Sequence, residues 1–163
     1  VEQEDREALQ GEDIAKDTAK LFRAMRGDSA GTKWLRNAVR ERGWPKRSVV
    51  GDSAAKAAWL MLQHTEFHDW ADEMLPVLER LADSGEVKLS ELALFTDRVL
   101  MHRGLPQRYG SQFNFVDGRM VAHTIEDLAQ LDARRTEVGL PPMAEYVRVL
   151  SEAYKLPVVW PPN

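Results

Sequence analysis

The stretch from Thr96 to Phe113, Thr-Asp-Arg-Val-Leu-Met-His-Arg-Gly-Leu-Pro-Gln-Arg-Tyr-Gly-Ser-Gln-Phe, sets a charged pair inside an apolar helix and follows it with a polar loop punctuated by glycines. On a helix, Asp97 has Ala93, Leu94, Leu100 and Met101 as its i−4, i−3, i+3 and i+4 neighbours, which places its carboxylate at or near the core. A buried carboxylate is costly unless hydrogen bonds or an opposite charge meet it. The chain must therefore fold so that something polar reaches Asp97, and that requirement organises the rest.

A chain of 163 residues is long enough for one domain with a sizeable core, so a single helical domain over 1–163 is expected. A formal charge of −4 argues against a nucleic-acid binder, which would carry a basic excess. No cysteine is present, which removes disulfides, thiolate nucleophiles and cysteine metal sites. No apolar run approaches the roughly 20 residues of a membrane helix and no signal-peptide pattern opens the chain, so neither nucleic acid nor membrane is an expected partner and a cytoplasmic setting is expected. The first residue is Val1, which leaves room for a trimmed leader or a neighbouring region.

The periodicity predicts a helix over 2–26 with Ile14, Leu21, Phe22 and Met25 on one stripe, and a second over 32–42 burying Trp34, Leu35, Ala38 and Val39. Gly43 stands where a helix C-terminal glycine belongs, and Trp44-Pro45 turns the chain. Residues 46–51 read as a loop whose Val49 and Val50 tuck into the core. Asp52-Ser53 offers a capping oxygen to an alanine-rich helix ending near His64. A segment over 67–83 carries Phe67, Trp70, Met74, Leu78 and Leu81, with Pro76 marking a kink or break. The Asp97 helix opens at Leu89-Ser90 and closes at Gly104. Residues 113–121 alternate around Asp117-Gly118, a hairpin signal. Thr124 is expected to cap a helix running to Arg135, and Pro141-Pro142 to open a last one. Residues 157–163 form an extended tail. The fold class is mainly α, an irregular bundle of about six or seven helices with one small β-hairpin.

Gly43-Trp44-Pro45, Gln63-His64, Asp97-Arg98, Gln107-Arg108-Tyr109-Gly110-Ser111-Gln112 and Ile125-Glu126-Asp127 with Arg134-Arg135 together resemble a bacterial domain family of unknown function. Its pattern is a Gly-Trp-Pro loop, a Gln-His at a helix end, an Asp-Arg on a later helix and a Gln-x-Tyr-Gly-(Thr/Ser)-Gln loop. The resemblance covers roughly 32–147 and leaves the N-terminal helix, 1–31, outside. His68 and His102 are not part of the pattern. The resemblance implies which residues matter and names no activity.

Two readings of the site follow. In the first, Asp97 accepts from one nitrogen of His64, fixes its tautomer and leaves the other nitrogen to move a proton near neutral pH. The chain is then a hydrolase- or lyase-like enzyme doing hydrolysis, elimination or group transfer on a small polar molecule or a peptide group. Arg98, Gln107, Tyr109, Ser111 and Gln112, with Trp44 and Gln63, line the substrate. Ser111 as a nucleophile is a variant of it, but no Gly-x-Ser-x-Gly elbow surrounds that serine. In the second, the chain is a non-catalytic binding or interaction module in which His64 and Asp97 form a structural clasp, and a homo-oligomer is open to either. No cofactor is expected. The alternative is a divalent metal, because His64 and His68 stand at i and i+4, with Glu66, Asp69, Asp97 or His102 as further ligands; two surface histidines are the simpler outcome. Trp34, Trp44, Trp59 and Trp70 are expected in the core, Trp160 at an interface, and Arg134-Arg135 on a solvated helix face.

Overall fold

The computed structural model describes residues 29–162, so the helix expected over 2–26 lies outside the described residues. The chain divides into two compact units, 1–73 and 74–163. Among the described residues there are seven α-helices and a three-stranded sheet, as the mainly helical reading expects; the third strand is an addition to the hairpin.

In the first unit, α1 (Ser29–Arg42) buries Leu35 and half-buries Ala38 and Val39. Trp34, expected in the core, is 50% exposed: it sits about 100° around the helix from Leu35, off the stripe that Leu35 and Val39 centre. Gly43 ends α1 with φ +81° and donates its N–H to the Val39 carbonyl at 2.9 Å, a glycine C-terminus of the expected kind. Trp44, Trp59 and Trp70 are buried as predicted. Residues 47–50 form a one-turn helix, α2 (Arg47–Val50), instead of a loop. Turning consecutive side chains about 100° apart, it leaves Val49 62% exposed and only Val50 half-buried.

The next helix, α3 (Asp52–Gln63), begins without the expected side-chain cap; Asp52 instead occupies the first turn, where a carboxylate meets the positive end of the helix, and faces Arg47 at 3.6 Å. Its buried residues are Ala57, Ala58, Trp59, Met61, Leu62 and Gln63, and the small alanines suit close packing with α1 and α2. The last helix to begin in this unit, α4 (His68–Asp83), runs unbroken through Pro76. Pro76 is exposed, so the hydrogen bond it cannot donate is lost on the solvent side. Arg36 of α1 pairs with Asp69 and lies 3.8 Å from Glu73, while Arg40 lies 3.6 Å from Glu73. The hydrogen bond from Arg36 holds the exposed Asp69 carboxyl below its usual range.

The second unit is built on α5 (Leu89–His102). Every residue from Ser90 to His102 is buried or half-buried, the signature of a helix enclosed on all sides. After it comes a hairpin of β1 (Phe113–Val116) and β2 (Arg119–Ala122), antiparallel in the register Phe113↔Ala122 to Val116↔Arg119. Asp117 and Gly118 both have positive φ, +47° and +72°, the geometry that a two-residue hairpin turn requires. The tail contributes β3 (Val158–Val159), parallel to β2 through Met120↔Val158.

Between β2 and β3 lie α6 (Leu131–Glu137) and α7 (Met143–Tyr154). The helix expected from Thr124 begins only at a 3₁₀ turn over Leu128–Gln130, because the Thr124 carbonyl and the Glu126 N–H are both taken by the Gln107 backbone. Ala122, Ile125, Leu131 and Met143 form a core cluster joined by Phe113, Tyr146, Val147 and Trp160. Trp160 thus packs, half-buried, against the core of its own chain. No helix among the described residues is long and apolar enough to cross a membrane.

Candidate functional site: a loop braced by a buried carboxylate

The loop over 107–112 is fixed almost atom by atom. Asp97, fully buried on α5, accepts at Oδ1 from the N–H groups of Arg108 (2.7 Å) and Tyr109 (3.0 Å), and at Oδ2 from the Ser111 N–H and the Ser111 hydroxyl, both at 2.9 Å. The Tyr109 N–H is shared with Oδ2 at 3.2 Å. Four donors meet a group with about four lone-pair positions, so the partner that the sequence demands for Asp97 is the loop backbone itself. Burial pushes the Asp97 carboxyl above its usual range, against the pull of these donors.

Gln107, 0% exposed, closes the loop from inside. Its Nε2 donates to the carbonyls of Gln112 and His123, each at 3.0 Å, and its Oε1 accepts the Gln112 N–H at 2.8 Å. Its backbone bridges to the 124–126 segment: the N–H donates to the Thr124 carbonyl and the carbonyl accepts from the Glu126 N–H, at 2.9 and 2.8 Å. Ser111 Oγ, while donating to Asp97, accepts from Gln112 Nε2 at 3.0 Å. Its hydroxyl is thus engaged on both sides, the arrangement of a positioning hydrogen bond.

Arg134 and Arg135 brace the loop from α6, which corrects the expectation of a solvated face. Arg134 Nε donates to the Arg108 carbonyl at 2.9 Å and its Nη2 to the carbonyls of Glu126 and Asp127. Arg135, 1% exposed, donates from Nη1 to the Tyr109 carbonyl and from Nε to that of Pro141 at 2.6 Å. Its guanidinium lies 4.8 Å from the centre of the Tyr146 ring, a cation–π contact. The adjacent Asp132 accepts the Met143 N–H at 2.8 Å, tying the start of α7 to α6. Gly110, at φ +68°, is required twice over: a Cβ there would stand 3.0 Å from Met143 Sδ and 3.3 Å from Ile125 Cδ1.

What the braced loop leaves available is the Tyr109 hydroxyl, which has no partner among the described residues, and the exposed Arg108 guanidinium, 3.7 Å from Glu126 and 5.9 Å from the Tyr109 ring. His123, unremarked in the sequence, adjoins the loop through its backbone, and its Nε2 is buried without a hydrogen bond. Burial lowers its pKa. An isolated histidine after a short strand carries no periodic or motif signal, which is why sequence reasoning passed it over.

The structure therefore brings Asp97, Gln107, Tyr109, Ser111 and Gln112 together, with Arg98 next to Asp97 on α5. Gln63, His64 and Trp44 belong to the first unit. Gln63 is the last residue of α3 and is buried; His64 follows it as an exposed C-terminal residue, its N–H bonded to the Leu60 carbonyl at 3.1 Å. His68 is the first residue of α4, and the intervening 65–67 are not helical. The i, i+4 relation of His64 and His68 is consequently not one helix face. Among the described residues no three His, Asp or Glu side chains are gathered as metal ligands.

No curated protein and no solved structure matches the chain. Residues 2–159 match the model of a family of unknown function, DUF6624, a wider span than the 32–147 over which the motifs run. The Asp-Arg helix and the Gln-x-Tyr-Gly-Ser-Gln loop it braces thus fall within that match, and the chain belongs to the DUF6624 family of unknown function.

Proposed function

We propose that the second unit is a binding module for a small polar molecule or a peptide group, with the 107–112 loop as its recognition element and Asp97 as the brace that keeps the loop in its binding shape. One observation carries this: a fully buried carboxylate satisfied by four donors from a single short loop. Fixing a polar loop before a ligand arrives removes an ordering cost that binding would otherwise bear, and the groups left over, Tyr109 and Arg108, are hydrogen-bond donors on its outside. The net charge of −4 argues against nucleic acid as the ligand.

The test is a metabolite and peptide-library screen read by loop amide resonances, repeated with Asp97→Asn and with Tyr109→Phe. Ligands that move the loop resonances of the wild type and bind Tyr109→Phe at least tenfold more weakly support the proposal. Hits that ignore the loop in every variant contradict it.

A further inference from the structure

Arg98 is the one partly buried cation of the second unit that has neither a carboxylate nor a hydrogen-bond acceptor against it among the described residues. Its Nε is closed to solvent and unbonded. The other buried charges have partners: Asp97 the loop amides, Arg134 three carbonyls, and Arg135 two carbonyls and the Tyr146 ring, with only its Nη2 left unbonded. Along α5 the i±3 and i±4 neighbours of Arg98 are Leu94, Phe95, Met101 and His102, so the helix supplies it with no acid; Glu91 stands two turns away. Burial depresses its pKa. A guanidinium Nε–H closed to water and left unbonded is unfavourable, and the planar fork of donors to which it belongs matches carboxylate and phosphate oxygens two at a time.

We infer that Arg98 is an oxyanion-binding residue, and that the ligand of this unit is a small molecule carrying a carboxylate or phosphate group. This rests on the reading of the second unit as a binding module and adds the charge class of what it binds.

The probes are inorganic phosphate and acetate, titrated into the whole chain against chloride at constant ionic strength. The readouts are the Arg98 Nε–H resonance, assigned by its loss in Arg98→Lys, and the thermal midpoint. The expected result is a saturable shift of that resonance with a rise in Tm for phosphate or acetate but not chloride, and loss of the Tm response in Arg98→Met. Whichever of the two anions acts identifies the group. In anion-free buffer Arg98→Met should be at least as stable as the wild type, since it removes an uncompensated charge while keeping much of the apolar stem. An unmoved resonance with both anions, or an unchanged Tm response in Arg98→Met, would overturn the inference. So would an Arg98→Met protein that is destabilised in anion-free buffer and rescued by Arg98→Lys, the behaviour of a structural ion pair. If the Arg98 resonance shifts while the 108–112 amides stay still, the anion site stands and the role of the loop falls.

Discussion

At the scale of the residue, Asp97 does the most. Asn in its place keeps the shape but turns an amide NH₂ toward N–H donors that were accepted by Oδ2 or Oδ1, leaving at least one buried donor unmet. Asp97→Asn is expected to lower stability by about 3 kcal/mol, measured by denaturant unfolding, and a change below 1 kcal/mol would mean that solvent reaches the loop amides. Gly110→Ala carries two penalties, a side chain at positive φ and a Cβ pressed on Met143 and Ile125. A loss of about 1 to 3 kcal/mol is expected, and a neutral result would show that the turn relaxes freely. His123 sets a pH dependence. Its folded pKa is depressed by burial, so its contribution to stability is present above its unfolded value of about 6.5 and is lost as pH falls through the folded pKa. His123→Gln should flatten the decline in stability below about pH 6.5; an unchanged profile would assign that decline to other groups.

At the scale of the element, α6 is a short helix that acts as a clamp. Arg135→Lys keeps the charge but gives up the fork that spans the Tyr109 and Pro141 carbonyls, and a loss of about 2 kcal/mol is expected in the same unfolding assay, where Arg135→Lys at wild-type stability would deny the clamp. The sequence made the Asp97 helix, the hairpin and the last helix legible because each has a local signal: an apolar stripe broken by one carboxylate, an Asp-Gly turn, a Pro-Pro start. It also showed that Asp97 needed a polar partner. It did not show which one, because backbone N–H groups have no letter in a sequence, and the reading turned to His64, a side chain that a carboxylate could orient. Arg134 and Arg135 read as surface for the same reason, since their partners are carbonyls. β3 is two residues long and pairs with a strand some forty positions earlier, a contact that no local pattern encodes. Trp34 was placed in the core at the edge of a helical stripe and Val49 on hydrophobicity in a loop; side-chain direction around a helix decided otherwise in both.

At the scale of the whole molecule, the second unit gathers its buried polar residues, Asp97, Gln107, Ser111, Gln112 and Arg135, into one network that holds a six-residue loop. The cost of burying Asp97 and Gln107 is offset only because each is satisfied, while Arg135 keeps one nitrogen, Nη2, unbonded; a half-satisfied network of this kind would be worse than an apolar core. The family match spans both units, with the Gln63-His64 helix end in the first and the braced loop in the second. The most direct measurement is amide hydrogen exchange of the ligand-free chain at Arg108, Tyr109 and Ser111, in the wild type and in Asp97→Asn. A brace predicts wild-type protection at those three amides comparable to that of α5, and its selective loss in Asp97→Asn while α5 stays protected. Exchange at those amides as fast as in an exposed loop, in the wild type, would contradict it.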